Sequence, residues 1–305
     1  MKRFLFRLSI PLGLLLLLAL SLDPLFTSVF RDGQGTKAQW LMGMRDERFD
    51  VAVIGSSRAW WNISMPQLDS ACGTRSISLA NNHFTPAEML LAMKAFLRNG
   101  NTARVLLLQV DHSSLTDEQE GFSSTVYDFV PFLEDTLVYA HLAPRGDEWF
   151  WLRHVPFWRY AKYDFKWGLE QAALTALSRR TAPFDSTGSY FSPNDRFYGK
   201  AGVPYSPSGH RMGADLRALF ALCERHGITV IPFTSPYYEL KMPAGAVGAP
   251  ARTLASEGLR LHDFSDSLPE KRWFNDNKHL NRKGGRRFTE MLARALRDEG
   301  FCAQE

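Results

Sequence analysis

Two short stretches of this chain carry residue types that could work together as a nucleophile, a base and an orienting carboxylate. Ser57 follows the apolar run 51–54 and Gly55, and a serine hydroxyl becomes a nucleophile once a neighbouring base takes its proton. Near the other end of the chain, Asp276 and His279 stand close enough for one short turn to aim both side chains into one crevice. Because a neutral imidazole can take the serine proton while a carboxylate fixes its tautomer, we predict Ser57, His279 and Asp276 as catalytic residues.

The elements that must position these residues have the pattern of an α/β fold. Apolar, β-branched runs alternate with helical patterns, which favours a flavodoxin-like, doubly wound parallel sheet of strand order 2-1-3-4-5. In such sheets ligands bind at the carboxyl ends of the strands, where both stretches fall. The predicted strands are Val51–Ile54, Ser76–Leu79, Val105–Val110, Ile228–Phe233 and Leu259–Asp263, and the predicted helices include Pro86–Leu97, Asp215–His226 and Lys283–Leu296.

Four further polar residues fall at the same predicted sheet edge and are candidates for oxyanion or substrate binding. Asn81 and Asn82 follow the second strand, and their amide groups could donate hydrogen bonds to a developing oxyanion. Asp111 follows the third strand. Arg58 could clamp a substrate anion or pair with a surface carboxylate, and both interpretations stay open. An alternative for Ser56 and Ser57 is that they only cap the helix that follows.

Composition and charge argue against several classes of function. At 305 residues, 45% of them hydrophobic, the chain can bury a full core, and its net charge of +4 is small and scattered, so no nucleic-acid partner is predicted. His83, His112 and His210 lie in or near loops, and nothing places them in one cluster, so neither a metal nor a cofactor is predicted. The 3 cysteines leave room for one disulfide without saying which two residues form it.

The amino terminus has the pattern of an export signal. Lys2, Arg3 and Arg7 precede an uncharged, leucine-rich run, Leu8–Leu22, which is shorter than the ~20 residues that span a bilayer. We therefore predict a signal anchor or a signal peptide over residues 1–30, with the choice between them left open. In both cases residues 31–305 are expected outside the cytoplasm, as a membrane-anchored or secreted α/β domain.

The regular alternation of strands and helices breaks between residues 113 and about 207. This stretch contains Trp149, Trp151, Trp158 and Trp167 together with turn-rich segments, and we predict an insertion or lid. Its aromatic side chains could be plain core, could bind sugars, or could lie against a membrane.

Gly55-Ser56-Ser57 and the turn Asp276-Asn277-Lys278-His279-Leu280-Asn281 resemble the first and last sequence blocks of the SGNH (GDSL-type) hydrolase superfamily. That resemblance implies that Ser57 is the nucleophile, His279 the general base and Asp276 its partner. The two middle blocks depart from the family pattern, because Ala80 and Asp111-His112 stand where the superfamily commonly has a glycine and an asparagine as oxyanion donors. The leader, Gly-Ser-Ser-Arg and the last block together resemble membrane-anchored proteins of polysaccharide O-acetylation and teichoic-acid D-alanylation.

The resemblance implies an exported or membrane-anchored serine esterase or O-acyltransferase, acting on O-acyl groups of a cell-envelope polysaccharide through an acyl-serine intermediate. Its partners would be the envelope glycan or an acyl-donor substrate, a membrane-bound acyltransferase, and the membrane itself. Hydrolysis and transfer stay open, because they differ only in whether water or a sugar hydroxyl resolves the intermediate. The alternatives are a catalytically silent glycan-binding or assembly protein of an acylation machinery, and an esterase that acts on lipids.

Overall fold

The computed structural model describes most of the chain and divides it into two compact units. The described residues are 1–33, 35–111, 115, 121–162, 169–170, 173–174, 177, 183–190, 195–199, 203–204, 212–241 and 248–302. We call Met1–Met44 with Val126–Ala182 the helical unit, and Arg45–Thr125 with Pro183–Glu305 the α/β unit. The boundaries predicted above, a leader over 1–30, a domain over 31–305 and an insertion over about 113–207, stay predictions.

Strands and helices alternate along the α/β unit, whereas the helical unit contains no strand among its described residues. The strands are β1 Arg48–Ile54, β2 Ser76–Ser78, β3 Thr102–Gln109, β4 Val203–Pro204, β5 Thr229–Phe233 and β6 Leu240–Lys241. The helices are α1 Lys2–Asp32, α2 Lys37–Gly43, α3 Ser57–Trp60, α4 Met65–Cys72, α5 Pro86–Arg98, α6 Thr136–Leu142, α7 Glu148–His154, α8 Trp158–Lys162, α9 Ala214–Arg225, α10 Ala249–Ala255 and α11 Arg282–Asp298. Short 3₁₀ helices cover Ser124–Phe132, Ala143–Arg145 and Lys271–Trp273.

The core of the α/β unit is a four-stranded, all-parallel sheet in the order β2-β1-β3-β5, flanked by helices. In its centre Val53 pairs with Ser78 on one side and with Leu107 on the other. The apolar residues at the end of β1 are fully buried, as expected for a strand covered on both faces. The α/β class and the parallel sheet are thus confirmed, and the strand order is consistent with a flavodoxin-like fold.

The predicted fifth strand, Leu259–Asp263, is wrong. Only His262 pairs with the sheet, through one parallel bridge to Phe233. The His262 N–H donates to the Pro232 carbonyl at 2.9 Å and Thr234 donates to the His262 carbonyl at 3.0 Å. Towards the amino ends of the two segments, the next hydrogen bond of this parallel pairing would need an N–H donor at residue 232. Proline has none, so the pairing stops after a single residue.

The α/β unit contains a disulfide between Cys72 and Cys302. It ties the end of α4 to the segment after α11, and α4 and α11 pack against each other. Cys223 is buried and unpaired, and burial raises the pKa of its thiol to about 12. The structure thereby selects one pair from the three cysteines, which the sequence left open.

The helical unit is built around the carboxyl-terminal third of α1. Phe26 and Phe30 form a buried cluster with Tyr160 of α8, and the Thr27 hydroxyl lies 2.7 Å from the Tyr160 hydroxyl. The first two-thirds of α1 are exposed, and α1 is long and apolar enough to cross a membrane by length and composition. Membrane anchoring through α1 fits this length and composition, whereas its topology stays a prediction.

Candidate active site

The turn after β1 holds Ser57 through its neighbour Ser56. Gly55 is required here by close approach, because a Cβ on it would lie 2.5 Å from the Cβ of Gln109. Ser56 is the N-cap of α3, and its N–H donates to Gln109 Oε1 at 3.0 Å. The Ser56 hydroxyl lies 2.8 Å from the same oxygen and 3.2 Å from Asp111 Oδ2. Of the two serines for which the sequence left a capping role open, Ser56 is the one that caps α3.

A turn after the short 3₁₀ helix Lys271–Trp273 aims Asp276 and His279 in one direction. Asp276 Oδ1 accepts from the backbone N–H groups of Lys278 at 2.7 Å and His279 at 2.8 Å, which closes the turn on its own side chain. Asn281 then caps α11 by accepting from the Gly284 N–H at 2.9 Å. The spacing from Asp276 to His279 is therefore what allows one carboxylate to shape the turn and reach the imidazole.

Ser57, His279 and Asp276 form a continuous hydrogen-bonded chain. His279 Nε2 lies 2.8 Å from Ser57 Oγ, and His279 Nδ1 lies 2.8 Å from Asp276 Oδ2. Because a carboxylate only accepts, Nδ1 carries the proton, and Nε2 is left to accept from the Ser57 hydroxyl. The structure thus brings the two distant stretches into hydrogen-bond contact, whereas the catalytic roles stay predictions.

The electrostatics of this chain keep Asp276 ionised. Burial raises the pKa of the Asp276 carboxyl, but the hydrogen bond and charge of His279 and the backbone N–H groups of Lys278 and His279 outweigh it. The pKa of Asp276 is therefore lowered below its ordinary value. An ionised Asp276 orients the imidazole and stabilises its protonated form, which is what a general base at His279 requires.

Arg58 and Asp111 are brought together behind Ser57. Arg58 is 2% exposed, and its guanidinium forms an ion pair with Asp111, donates to the Ser235 carbonyl and donates to the Pro236 carbonyl at 3.0 Å. The ring of Tyr237 lies 3.3 Å from the Arg58 carbon Cζ, and its hydroxyl donates to Asp111 Oδ1 at 3.0 Å. Burial lowers the pKa of Arg58, although Tyr237 partly offsets that effect. Of the two interpretations of Arg58, the contacts bear out pairing with a carboxylate, although Asp111 is largely buried and not at the surface. These contacts are those of a positioning residue.

Asn81 and Asn82 lie beside the nucleophile turn with their side-chain oxygens already used. Asn81 Oδ1 accepts from the Asn82 N–H at 2.9 Å, and the Asn81 N–H donates to the Gly55 carbonyl at 3.3 Å. Asn82 Oδ1 accepts from Trp61 Nε1 at 3.0 Å. Within the described part of the chain, the side-chain hydrogen bonds of Asn81 and Asn82 are thus accepted by their Oδ1 atoms. This leaves the Nδ2 groups of both residues as donors. Ser57 opens α3, so its own N–H has no partner within the helix.

Two buried amide side chains that support the site were not among the predicted residues. Gln109 fixes the Ser56 backbone from the end of β3, and Asn62 Oδ1 accepts from the Leu280 N–H at 2.9 Å, just after His279. Gln109 could have been noticed as the one polar residue in an otherwise apolar strand end. Asn62 has no such signal, because its partner lies in a distant part of the chain.

Aromatic side chains line the site on the His279 side. The ring of Trp61 lies 5.1 Å from the His279 ring, and the ring of Tyr190 lies 4.8 Å from that of Trp61. The Tyr198 N–H donates to the Asn275 carbonyl at 2.7 Å, and its side chain is exposed. We call Trp61 and Tyr190 the aromatic wall.

Comparisons of the sequence with known protein families and with curated proteins found no match. Over the described ranges, no three His, Cys, Asp or Glu side chains lie together as metal ligands would. Two histidines considered as ligands, His112 and His210, lie outside those ranges.

Proposed function

We propose that this protein is an SGNH-type serine esterase or O-acyltransferase that acts on O-acyl groups of a cell-envelope polysaccharide. The observation that carries the proposal is the chain from Ser57 Oγ through the His279 ring to Asp276 Oδ2, with both hydrogen bonds at 2.8 Å. A serine polarised in this way is the arrangement used for nucleophilic acyl transfer on several unrelated folds.

The chemistry follows from the roles of these atoms. Ser57 Oγ attacks the ester carbonyl while His279 Nε2 takes the hydroxyl proton, and the tetrahedral intermediate then expels the alcohol, which takes that proton from the imidazolium. The acyl group remains on Ser57 as an ester. A water or a sugar hydroxyl, deprotonated by His279, attacks this ester and releases the acid or the transferred ester. Asp276 stays ionised throughout and stabilises the imidazolium.

Donors to the oxyanion are available on both sides of Ser57. The Ser57 N–H opens α3, and the amides of Asn81 and Asn82 follow β2. We assign these groups the role that a glycine and an asparagine have in the superfamily. This assignment rests on the hydrogen bonds that occupy the two asparagine oxygens.

Three features support an envelope glycan as the substrate. A disulfide, as between Cys72 and Cys302, persists in oxidising compartments outside the cytoplasm, and α1 provides a membrane anchor by length and composition. The aromatic wall beside His279 offers flat apolar faces of the kind on which sugar rings pack. A membrane-bound acyltransferase would be the partner if the enzyme transfers rather than hydrolyses.

A catalytically silent glycan-binding or assembly protein of an acylation machinery is the second candidate. The aromatic wall suits it, and so does Ala80 in the place where the superfamily has an oxyanion glycine. The two candidates differ in one measurable property, because only the enzyme turns over an activated ester.

The test is the hydrolysis of an aryl acetate by the purified full chain and by two neighbouring serine variants. Ser57→Ala should lose on the order of 10⁶ in rate. Ser56→Ala is the neighbouring comparison, which loses a helix cap worth about 1 kcal/mol but keeps the Ser57 hydroxyl, so it should lose far less turnover than Ser57→Ala. A Ser57→Ala variant that keeps most of the activity would refute the assignment. A wild-type protein that binds glycan without any turnover would establish the silent candidate.

A further inference from the structure

The helical unit exposes a group of large apolar side chains on α7 and α8. Phe150 is 50% exposed, Trp151 56%, Val155 37% and Trp158 46%. We call these four residues the aromatic patch. Trp151, Val155 and Trp158 line a shallow groove of about 370 Å³, closed at its polar end by Glu148 and Lys162. Contiguous exposed apolar side chains of this size mark an interaction surface.

Contacts to Asp23 fix where this patch lies along α1. Asp23 Oδ2 accepts from the Phe157 N–H at 2.7 Å, and the Arg159 guanidinium forms an ion pair with the same carboxylate. Trp158 stands between these two residues in sequence. Asp23 is in turn the first charged residue after the uncharged run Leu8–Leu22. Trp158 is therefore held at the level where the apolar part of α1 ends.

That level coincides with a membrane surface if α1 spans the bilayer. A helix rises about 1.5 Å per residue, so the segment from Phe4 to Leu22 covers roughly the ~30 Å of a hydrocarbon core. Asp23 then falls at the boundary with the headgroups. Tryptophan side chains are enriched at this boundary, where one end of the ring is apolar and the other is wet.

Among the described residues near the patch, two cations are paired with carboxylates. Lys162 Nζ lies 2.8 Å from Glu148, and Arg153 lies 3.6 Å from Glu134. These cations are therefore already paired with carboxylates and are poorly placed to recognise anionic headgroups. The contact with lipid would accordingly be apolar and insensitive to salt.

We infer that the aromatic patch docks the helical unit into the lipid–water interface of the membrane leaflet in which α1 emerges. The inference takes α1 as an uncleaved membrane span and does not depend on the proposed enzyme activity. In this arrangement Trp151 and Trp158 lie among the upper acyl-chain carbons, and the protein is held at the membrane by a second contact besides α1.

Tryptophan quenching by brominated lipids tests this placement in the full chain. The chain has 8 tryptophans and none in α1, so the anchor itself contributes no signal. The protein would be reconstituted in phosphatidylcholine vesicles with bromines near the headgroup or near the bilayer centre. We expect shallow bromines to quench emission more than deep ones, at both low and high salt. The double variant Trp151→Phe, Trp158→Phe should lose most of this quenching.

Trp149→Phe is the matched control, because Trp149 lies on the same helix but is only 2% exposed. It should keep the quenching of the wild type. Unquenched wild-type emission, stronger quenching by deep bromines, or full quenching in the double variant would each overturn the inference. Vesicle flotation of the same samples shows whether absent quenching comes from an absent membrane span or from a patch that does not reach the lipid. A protein that does not float lacks the membrane span on which the inference rests.

Discussion

Each of the two units contains a buried arginine–aspartate pair, and the pairs do different things. In the α/β unit, Arg58 pairs with Asp111 and also donates to the carbonyls of the loop after β5. In the helical unit, Arg159 pairs with Asp23 of α1 and reaches Glu134 at 3.4 Å. The first pair thus stands behind a candidate catalytic serine, whereas the second fastens the candidate membrane helix to the rest of its unit.

The two arginines also differ in how their charge is maintained. Burial lowers the pKa of Arg58, and the groups around it do not fully compensate. Burial also acts to lower the pKa of Arg159, but the hydrogen bond to Asp23, together with nearby charges including Glu134, raises it above the usual value. The surroundings of Arg58 thus disfavour its charge on balance, whereas those of Arg159 favour it. We expect each of the following variants to act mainly on the unit that contains it.

The largest effect is expected from His279→Ala in the α/β unit. Without the imidazole ring there is no base for Ser57, and loss of a triad histidine costs on the order of 10⁶ in rate. Turnover of an aryl acetate measures the loss, and vesicle flotation should be unchanged because α1 is untouched. A variant with near wild-type turnover would show that His279 is not the base.

Asp276→Asn should cost less, on the order of 10⁴ in rate, because the ring remains but its tautomer and charge are no longer supported. The lowered pKa of Asp276 keeps the carboxylate ionised well into the acidic range, so substitution rather than pH is the clean way to remove this charge. The loss should appear in kcat more than in KM. An unchanged kcat would remove Asp276 from the site.

Arg58→Ala is expected to destabilise the α/β unit by roughly 3–5 kcal/mol, since it leaves Asp111 without its buried partner. Denaturant unfolding followed by the fluorescence of the full chain measures the change. Turnover should fall as well, because Ser56 and Ser57 lose the side chain packed behind them. Arg58→Lys is the comparison variant, and it should recover only part of the stability, because an ammonium cannot bond to Asp111 and both carbonyls in the same geometry.

Arg159→Ala should have the smallest effect on chemistry and a smaller effect on stability than Arg58→Ala. Its partner Glu134 has a side chain that is 46% exposed, so solvent can replace part of the lost contact. Aryl acetate turnover should be unchanged, while the helical unit becomes easier to cleave with a protease. Lost turnover in this variant would mean that the two units are not independent in function.

The sequence predicts the residues of the candidate site better than the contacts that support them, for a physical reason. Ser57 and the pair Asp276 and His279 lie in local motifs at strand ends, where the fold class alone brings them to one edge. The burial of Arg58 depends on carbonyls at 235–236, which no local pattern connects to it. The supporting bond from Asn62 to Leu280 is equally non-local.

The wrong prediction of a fifth strand has a different cause. The run Leu259–Asp263 has strand-like composition, but pairing is decided by the neighbouring strand, where Pro232 lacks the N–H that the ladder needs. The same cause applies in the helical unit, because the aromatic residues around α8 are sorted into buried and exposed by contacts with α1.

The most direct test of the central claim is covalent labelling of Ser57 with a fluorophosphonate, located by peptide mass spectrometry. Such probes react with a serine only when a neighbouring base activates its hydroxyl. We predict that the wild-type chain carries the label on Ser57, and that Ser57→Ala and His279→Ala are not labelled while Ser56→Ala is. An unlabelled wild-type protein, or a label that persists elsewhere in Ser57→Ala, would contradict the claim that Ser57 is an activated nucleophile.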